Sequence, residues 1–159
     1  MGLRVEQAEL RNLNYPLYLC TSFVSLSNQA LLQDLISLSC ILTNAVTQPS
    51  EQMLKAIRVQ WWIDCITKLQ KKNSPLSDRI ISHICAGRLD KGKLLSIIEK
   101  FQKASFADSS DEYLKVCWSS IFDYYCLLSN QDRLESVNLL GSLISYIVFN
   151  PEKLKKLIK

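Results

Sequence analysis

Residues 51–64, EQMLKAIRVQWWID, contain neither proline nor glycine, and their apolar residues fall at helical rather than strand spacing. Met53, Leu54, Ile57 and Trp61 continue into Cys65 and Leu69 in i, i+3/i+4 order, which predicts one apolar stripe on a helix over about 51–71. Adjacent tryptophans project about 100° apart on a helix, so only one of Trp61 and Trp62 can face a core squarely. The stripe gives that place to Trp61. Arg58 lies one turn before both rings. Two arrangements satisfy this spacing. One is a wide buried face on which the second ring packs against a neighbouring helix. The other is an aromatic wall to an apolar cleft, with Arg58 at its mouth and Gln60, Trp61, Trp62 and Asp64 as the remaining ligand-cleft candidates.

Helical signals continue in both directions. Upstream, Pro49 and Ser50 interrupt the chain, and before them residues 27–46 predict a helix with Ser27 at the N-cap and Leu31, Leu32, Leu35, Leu38 and Leu42 on one face. Downstream, Lys68, Lys71 and Lys72 suit the negative end of a helix dipole. Asn73–Ser74–Pro75 then reads as a cap with an N1 proline. The helix it opens runs to about Ala86, carries Ile80, Ile81, Ile84 and Cys85, and is closed by Gly87. Asp90 caps a helix bearing Leu94, Leu95, Ile97, Ile98 and Phe101. Ser109 and Glu112 form a capping box for a helix to about Leu128, with Tyr125 toward the core and Asp123 on its polar side. A further helix is expected from Asn130 through Leu134, Val137, Leu140, Leu143, Ile144 and Ile147, and Pro151 opens a last lysine-rich turn. Val5, Ala8, Leu10 and Leu13 make a weak helical piece at the start. No strand-period run, solenoid repeat or domain boundary appears. The chain reads as all-α, one domain over 1–159, with about seven helices.

Composition narrows the function classes. With 48% hydrophobic residues the chain can bury a core, and a net charge of +4, scattered and without lysine–aromatic interleaving, gives no reason to expect nucleic acid. Six cysteines stand far apart with no Cys-x-x-Cys pair, as reduced core thiols do in a reducing compartment. His83 is the lone histidine, so no zinc set is expected, and it reads as a partly exposed structural residue. The first ten residues carry Arg4, Glu6 and Glu9 rather than the apolar core of a secretory signal. The uncharged run 12–33 is broken by Pro16 and several polar residues and is not expected to span a bilayer. Lys153, Lys155, Lys156 and Lys159 follow the apolar run Tyr146–Phe149. They form either a solvated end or a contact with an anionic membrane, where each lysine contributes about 1 kcal/mol.

The string IRVQWWIDCI at 57–66 resembles the I-R-L-Q-W-W-R-D signature of the squalene/phytoene synthase family. It is most similar to the phytoene-synthase-like branch, which includes a mitochondrial respiratory complex I assembly factor. YPLYLCTSFVS at 15–25, ALLQDLISLSCIL at 30–42 and QPSEQMLKAIRVQWW at 48–62 look like the family's opening segment, first core helix and approach to the signature, so the likeness covers about 15–150. The resemblance implies a shortened isoprenoid-synthase-like helical bundle. Active members join prenyl diphosphates, using Mg²⁺ held by two aspartate-rich motifs beside an apolar tunnel.

Neither motif has a counterpart in this chain. The place of the first reads CILTNAVT at 40–47, and no acid stands between Asp34 and Glu51. The place of the second, LLGSLISYIVFNPEKLKKL at 139–157, holds only Glu152, and Ile63 replaces the arginine common after the double tryptophan. The family's later helices have no match within 159 residues. The expectation leans away from enzyme activity, with no catalytic residue, metal or cofactor. It is a degenerate family member binding a prenyl or isoprenoid lipid or supporting a membrane protein complex. Such a protein would be cytoplasmic or matrix-side and peripheral to the inner membrane. The alternative is an active prenyl-diphosphate transferase, using Mg²⁺, completed by a partner chain or by unusual diphosphate ligands. A third reading is a remnant whose exposed helix faces self-associate.

Overall fold

A computed structural model of the chain describes residues 11, 12, 18, 21, 26–70, 74–107 and 110–128, and no strand occurs among them. Five helices are described: α1 (Leu26–Thr47), α2 (Gln52–Lys68), α3 (Pro75–Cys85), α4 (Lys91–Ser105) and α5 (Ser110–Leu128). Val5, Ala8, Leu10 and Leu13, the predicted helix after Asn130, the lysines from Lys153 to Lys159 and the cap at Ser109 lie outside the described residues.

Helix α1 is the centre of the bundle and touches the other four, while α4 also packs on α2 and α5. Its sequence explains the position. Leu31, Leu35, Leu38, Leu42 and Val46 enter a core shared with Trp62, Ile66, Ile80, Leu94, Ile98, Phe101 and Leu114. On another face, Leu32, Ile36 and Cys40 pack with Trp118 and Tyr125. The stretch Gln29–Thr47 has the length and apolarity of a membrane span, yet 78% of its most apolar window is buried inside the bundle. This stretch overlaps the uncharged run 12–33 only at 29–33. Most of α1 is buried, and the other four described helices supply the neighbours that bury it.

Several of its polar residues are satisfied within the fold, while the buried Ser37 Oγ has no hydrogen-bond partner. Gln29 Nε2 donates to the Thr21 carbonyl at 3.0 Å, Gln33 Nε2 to Thr21 Oγ1 at 2.9 Å, and Ser39 Oγ to the Leu35 carbonyl at 2.8 Å. Trp118 Nε1–H donates to Thr43 Oγ1 at 3.1 Å, tying α5 to α1. Helix ends follow their caps. Pro75 is at the start of α3 after Ser74, Gly87 has φ +69°, and the Asp90 carboxylate accepts the Lys93 N–H at 2.7 Å.

Three expectations need correction. The helix α1 begins at Leu26, so Ser27 lies inside it rather than at its cap. Helix α2 stops at Lys68, because Leu69 takes the left-handed conformation (φ 49°) and its N–H reaches back to the Cys65 and Ile66 carbonyls. Cys85 is exposed, unlike Cys40, Cys65 and Cys117, because it sits in the last turn of α3 beyond the row that meets α1.

Candidate functional site

The first half of the apolar stripe expected to bury α2 faces outward, while Cys65 farther along it is buried as expected. Val59, Trp62, Cys65 and Ile66 are the buried residues of α2, whereas Met53, Leu54 and Ile57 are exposed. The two tryptophans exchange their expected roles: Trp62 is 4% exposed and sits in the main core, and Trp61 packs against that core only partly buried. Their rings meet edge to face with centroids 5.0 Å apart.

Between the second half of α1 and the middle of α2 lies an open groove of about 470 Å³. Helix α1 supplies Ile41, Asn44 and Ala45, with Gln48 just beyond its end, and α2 supplies Ile57, Arg58, Trp61 and Trp62. The groove exists because Ala45, the smallest side chain in that row of α1, leaves space where a larger residue would meet the tryptophans. Its lining is apolar, with Asn44, Gln48 and the exposed Arg58 as its polar groups. Such a surface shelters a hydrocarbon chain and offers one guanidinium to an anionic end.

Of the five cleft candidates, Arg58, Trp61 and Trp62 come together here. Gln60 and Asp64 point along another face. Gln102 Nε2 on α4 donates to Gln60 Oε1 at 2.7 Å, and Gln60 Nε2 donates to Asp64 Oδ1 at 2.9 Å. That chain of bonds fastens α2 to α4 and keeps both side chains out of the groove. An i, i+4 pair, Gln60 and Asp64 share a face by helical geometry, which separates them from Arg58 and Trp62.

A second polar centre escaped the sequence reading. Asp34 on α1 is 1% exposed and accepts from Arg79 Nε at 2.8 Å, while His83 Nε2 lies 3.0 Å from its other oxygen. His83 is buried rather than partly exposed, since it is one turn beyond Arg79 on the face of α3 that meets α1. The other ring nitrogen, Nδ1, is buried with no hydrogen-bond partner. The i, i+4 spacing of Arg79 and His83 was visible in the chain. Its partner, 45 residues before Arg79, was not.

Among the described residues no three His, Cys, Asp or Glu side chains gather as a metal site would need. Burial pushes the Cys40 thiol up to about 12, and burial likewise raises Cys117 to about 12 against the lowering pull of Lys100. Burial also raises the Tyr124 phenol, which receives the Asp90 N–H and donates to the Asp90 carbonyl at 3.2 Å. The chain matches no family model, no curated protein and no solved structure.

Proposed function

We propose that the chain is a non-catalytic binding module for a single-chain anionic amphiphile of the prenyl phosphate class, acting at a membrane or on a membrane protein complex. The observation that carries this is the groove itself: an apolar floor and wall from Ile41, Ala45, Ile57, Trp61 and Trp62, with Arg58 beside them. Each methylene taken from water into such a lining contributes about 0.8 kcal/mol, so even a partly enclosed chain supplies useful affinity. Arg58 adds a planar, permanently charged fork suited to phosphate oxygens. The likeness of Ile57–Asp64 to the squalene/phytoene synthase signature supports prenyl over other hydrocarbon chains, and the acid-free stretch between Asp34 and Glu51 supports binding without turnover.

Farnesyl phosphate, titrated in detergent-free buffer below its aggregation concentration, tests this through tryptophan fluorescence. Saturable binding is expected, weakened about tenfold in Arg58→Ala by the loss of one charge-assisted contact. Binding that is not saturable, or that is indifferent to Arg58, overturns the assignment. Mg²⁺-dependent release of pyrophosphate from farnesyl diphosphate by the purified chain would replace it with the transferase reading.

A further inference from the structure

The groove between α1 and α2 has a single charged lining residue, Arg58, and its two other polar residues are the neutral amides Asn44 and Gln48. All three are exposed at its rim. Helices α1 and α2 pack on each other and are joined by the four residues 48–51, so the end of α1 lies beside the start of α2. Side chains lean toward the N-terminus of their own helix. Arg58 therefore leans back toward the junction and Asn44 leans away from it, which brings guanidinium and amide toward one another over the groove. Glu51 and Lys55 are the other charged residues at this end of α2, one turn apart on the helix, and they offset each other without lining the groove. Among the described residues the hollow thus carries one net positive charge above a floor of Ala45 and Trp62.

We infer that the groove selects its ligand's head by charge, taking a phosphate monoester in preference to a diphosphate, with Asn44 and Gln48 as the residues that set this specificity. This rests on the groove reading and names the head group. The Arg58 fork grips two oxygens of a terminal phosphate through parallel charge-assisted bonds. The Asn44 and Gln48 amides donate N–H to the third oxygen and add no charge. A monoester carries about −1.5 to −2 at neutral pH, of which one guanidinium offsets half or more. A diphosphate on the same tail brings a second phosphate and a further negative charge, for which the lining holds no cation. An anion drawn to the edge of an apolar surface without a partner loses hydration that nothing restores. A lysine at either amide position would supply the missing partner, and this chain has a neutral side chain at both.

The test compares farnesyl phosphate with farnesyl diphosphate, each titrated against the full chain with a chelator present and read by tryptophan fluorescence. The wild type is expected to bind the monoester about tenfold more tightly. Gln48→Lys supplies a second cation just past the end of α1, where positive charge also suits the helix dipole, so folding is retained and is checked by circular dichroism. That variant is expected to gain about tenfold for the diphosphate and no more than about threefold for the monoester. Asn44→Ala is expected to lose about threefold for the monoester. Equal affinity of the wild type for the two phosphates overturns the inference and leaves the groove reading standing. A Gln48→Lys protein that discriminates against the diphosphate as strongly as the wild type overturns it too, as does an Asn44→Ala protein with unchanged monoester affinity. Failure of farnesyl phosphate to bind the wild type at all overturns both.

Discussion

The two apolar faces of α2 have similar chemistry and opposite fates. One carries Val59, Trp62, Cys65 and Ile66 into the core. The other leaves Met53, Leu54 and Ile57 in solvent, with Trp61 on the border. Both rows satisfy helical periodicity, so the spacing of apolar residues alone does not choose between them. The choice is made by what lies opposite. Helices α1 and α4 both pack on α2, and Gln102 bonding to Gln60 fixes its rotation. Periodicity thus establishes a helix and its possible faces, while the partners decide which face is core.

The largest expected effect tests that assignment directly. Trp62→Ala removes a ring 4% exposed and is expected to cost about 3–5 kcal/mol. Trp61→Ala, at the border, is expected to cost about 1–2 kcal/mol, because much less of its surface leaves water on folding. Urea denaturation of the two variants measures both. Equal losses, or a larger loss at Trp61, would break the distinction between the faces. Farnesyl phosphate binding sharpens it further, since Trp61→Ala is expected to weaken binding in a protein that remains folded.

A comparable loss is expected where α3 joins α1. Asp34→Ala leaves Arg79 and His83 without their carboxylate in a largely buried site, and breaking such a pair costs about 3 kcal/mol. Arg79 keeps 18% of its side chain exposed and can recover some hydration, which places the loss at the lower end of the usual range. Here the interior is polar and directional, whereas the core face of α2 is apolar. Asp34→Asn retains the volume and one acceptor, and is expected to fall between Ala and wild type in the same denaturation series. An Ala variant as stable as the wild type would show that the cluster contributes no net stability.

Much of the helical plan could be read from local signals. Pro49, Ser74–Pro75, Gly87 and Asp90 punctuate the chain by restricting or capping the backbone, which is a property of one or two residues. The leucine row of α1 was legible for the same reason, although the helix is buried on more than that row. Leu69 was not legible as a helix end, because the left-handed cap more often falls to glycine or asparagine. At the site, Arg58 and both tryptophans could be nominated from their one-turn spacing. The diversion of Gln60 and Asp64 toward Gln102, and the meeting of Asp34 with His83, depend on contacts across more than forty residues.

The smallest effect concerns chemistry rather than stability, and it extends the contrast of covered and uncovered surface to the thiols. Cys40 and Cys117 are buried with their thiols held near 12, while Cys85 is exposed. The thiolate is the reactive form, so at pH 8 only about one buried thiol in ten thousand is available to react at either site. Iodoacetamide at pH 8, followed by peptide mapping, is expected to modify Cys85 and to leave Cys40 and Cys117 intact in the folded chain. The buried pair should stay slow until denaturant opens the bundle. Labelling of Cys117 at the rate of Cys85 without denaturant would mean that the α4–α5 packing opens readily, and that this part of the core is no better covered than the outer row of α2.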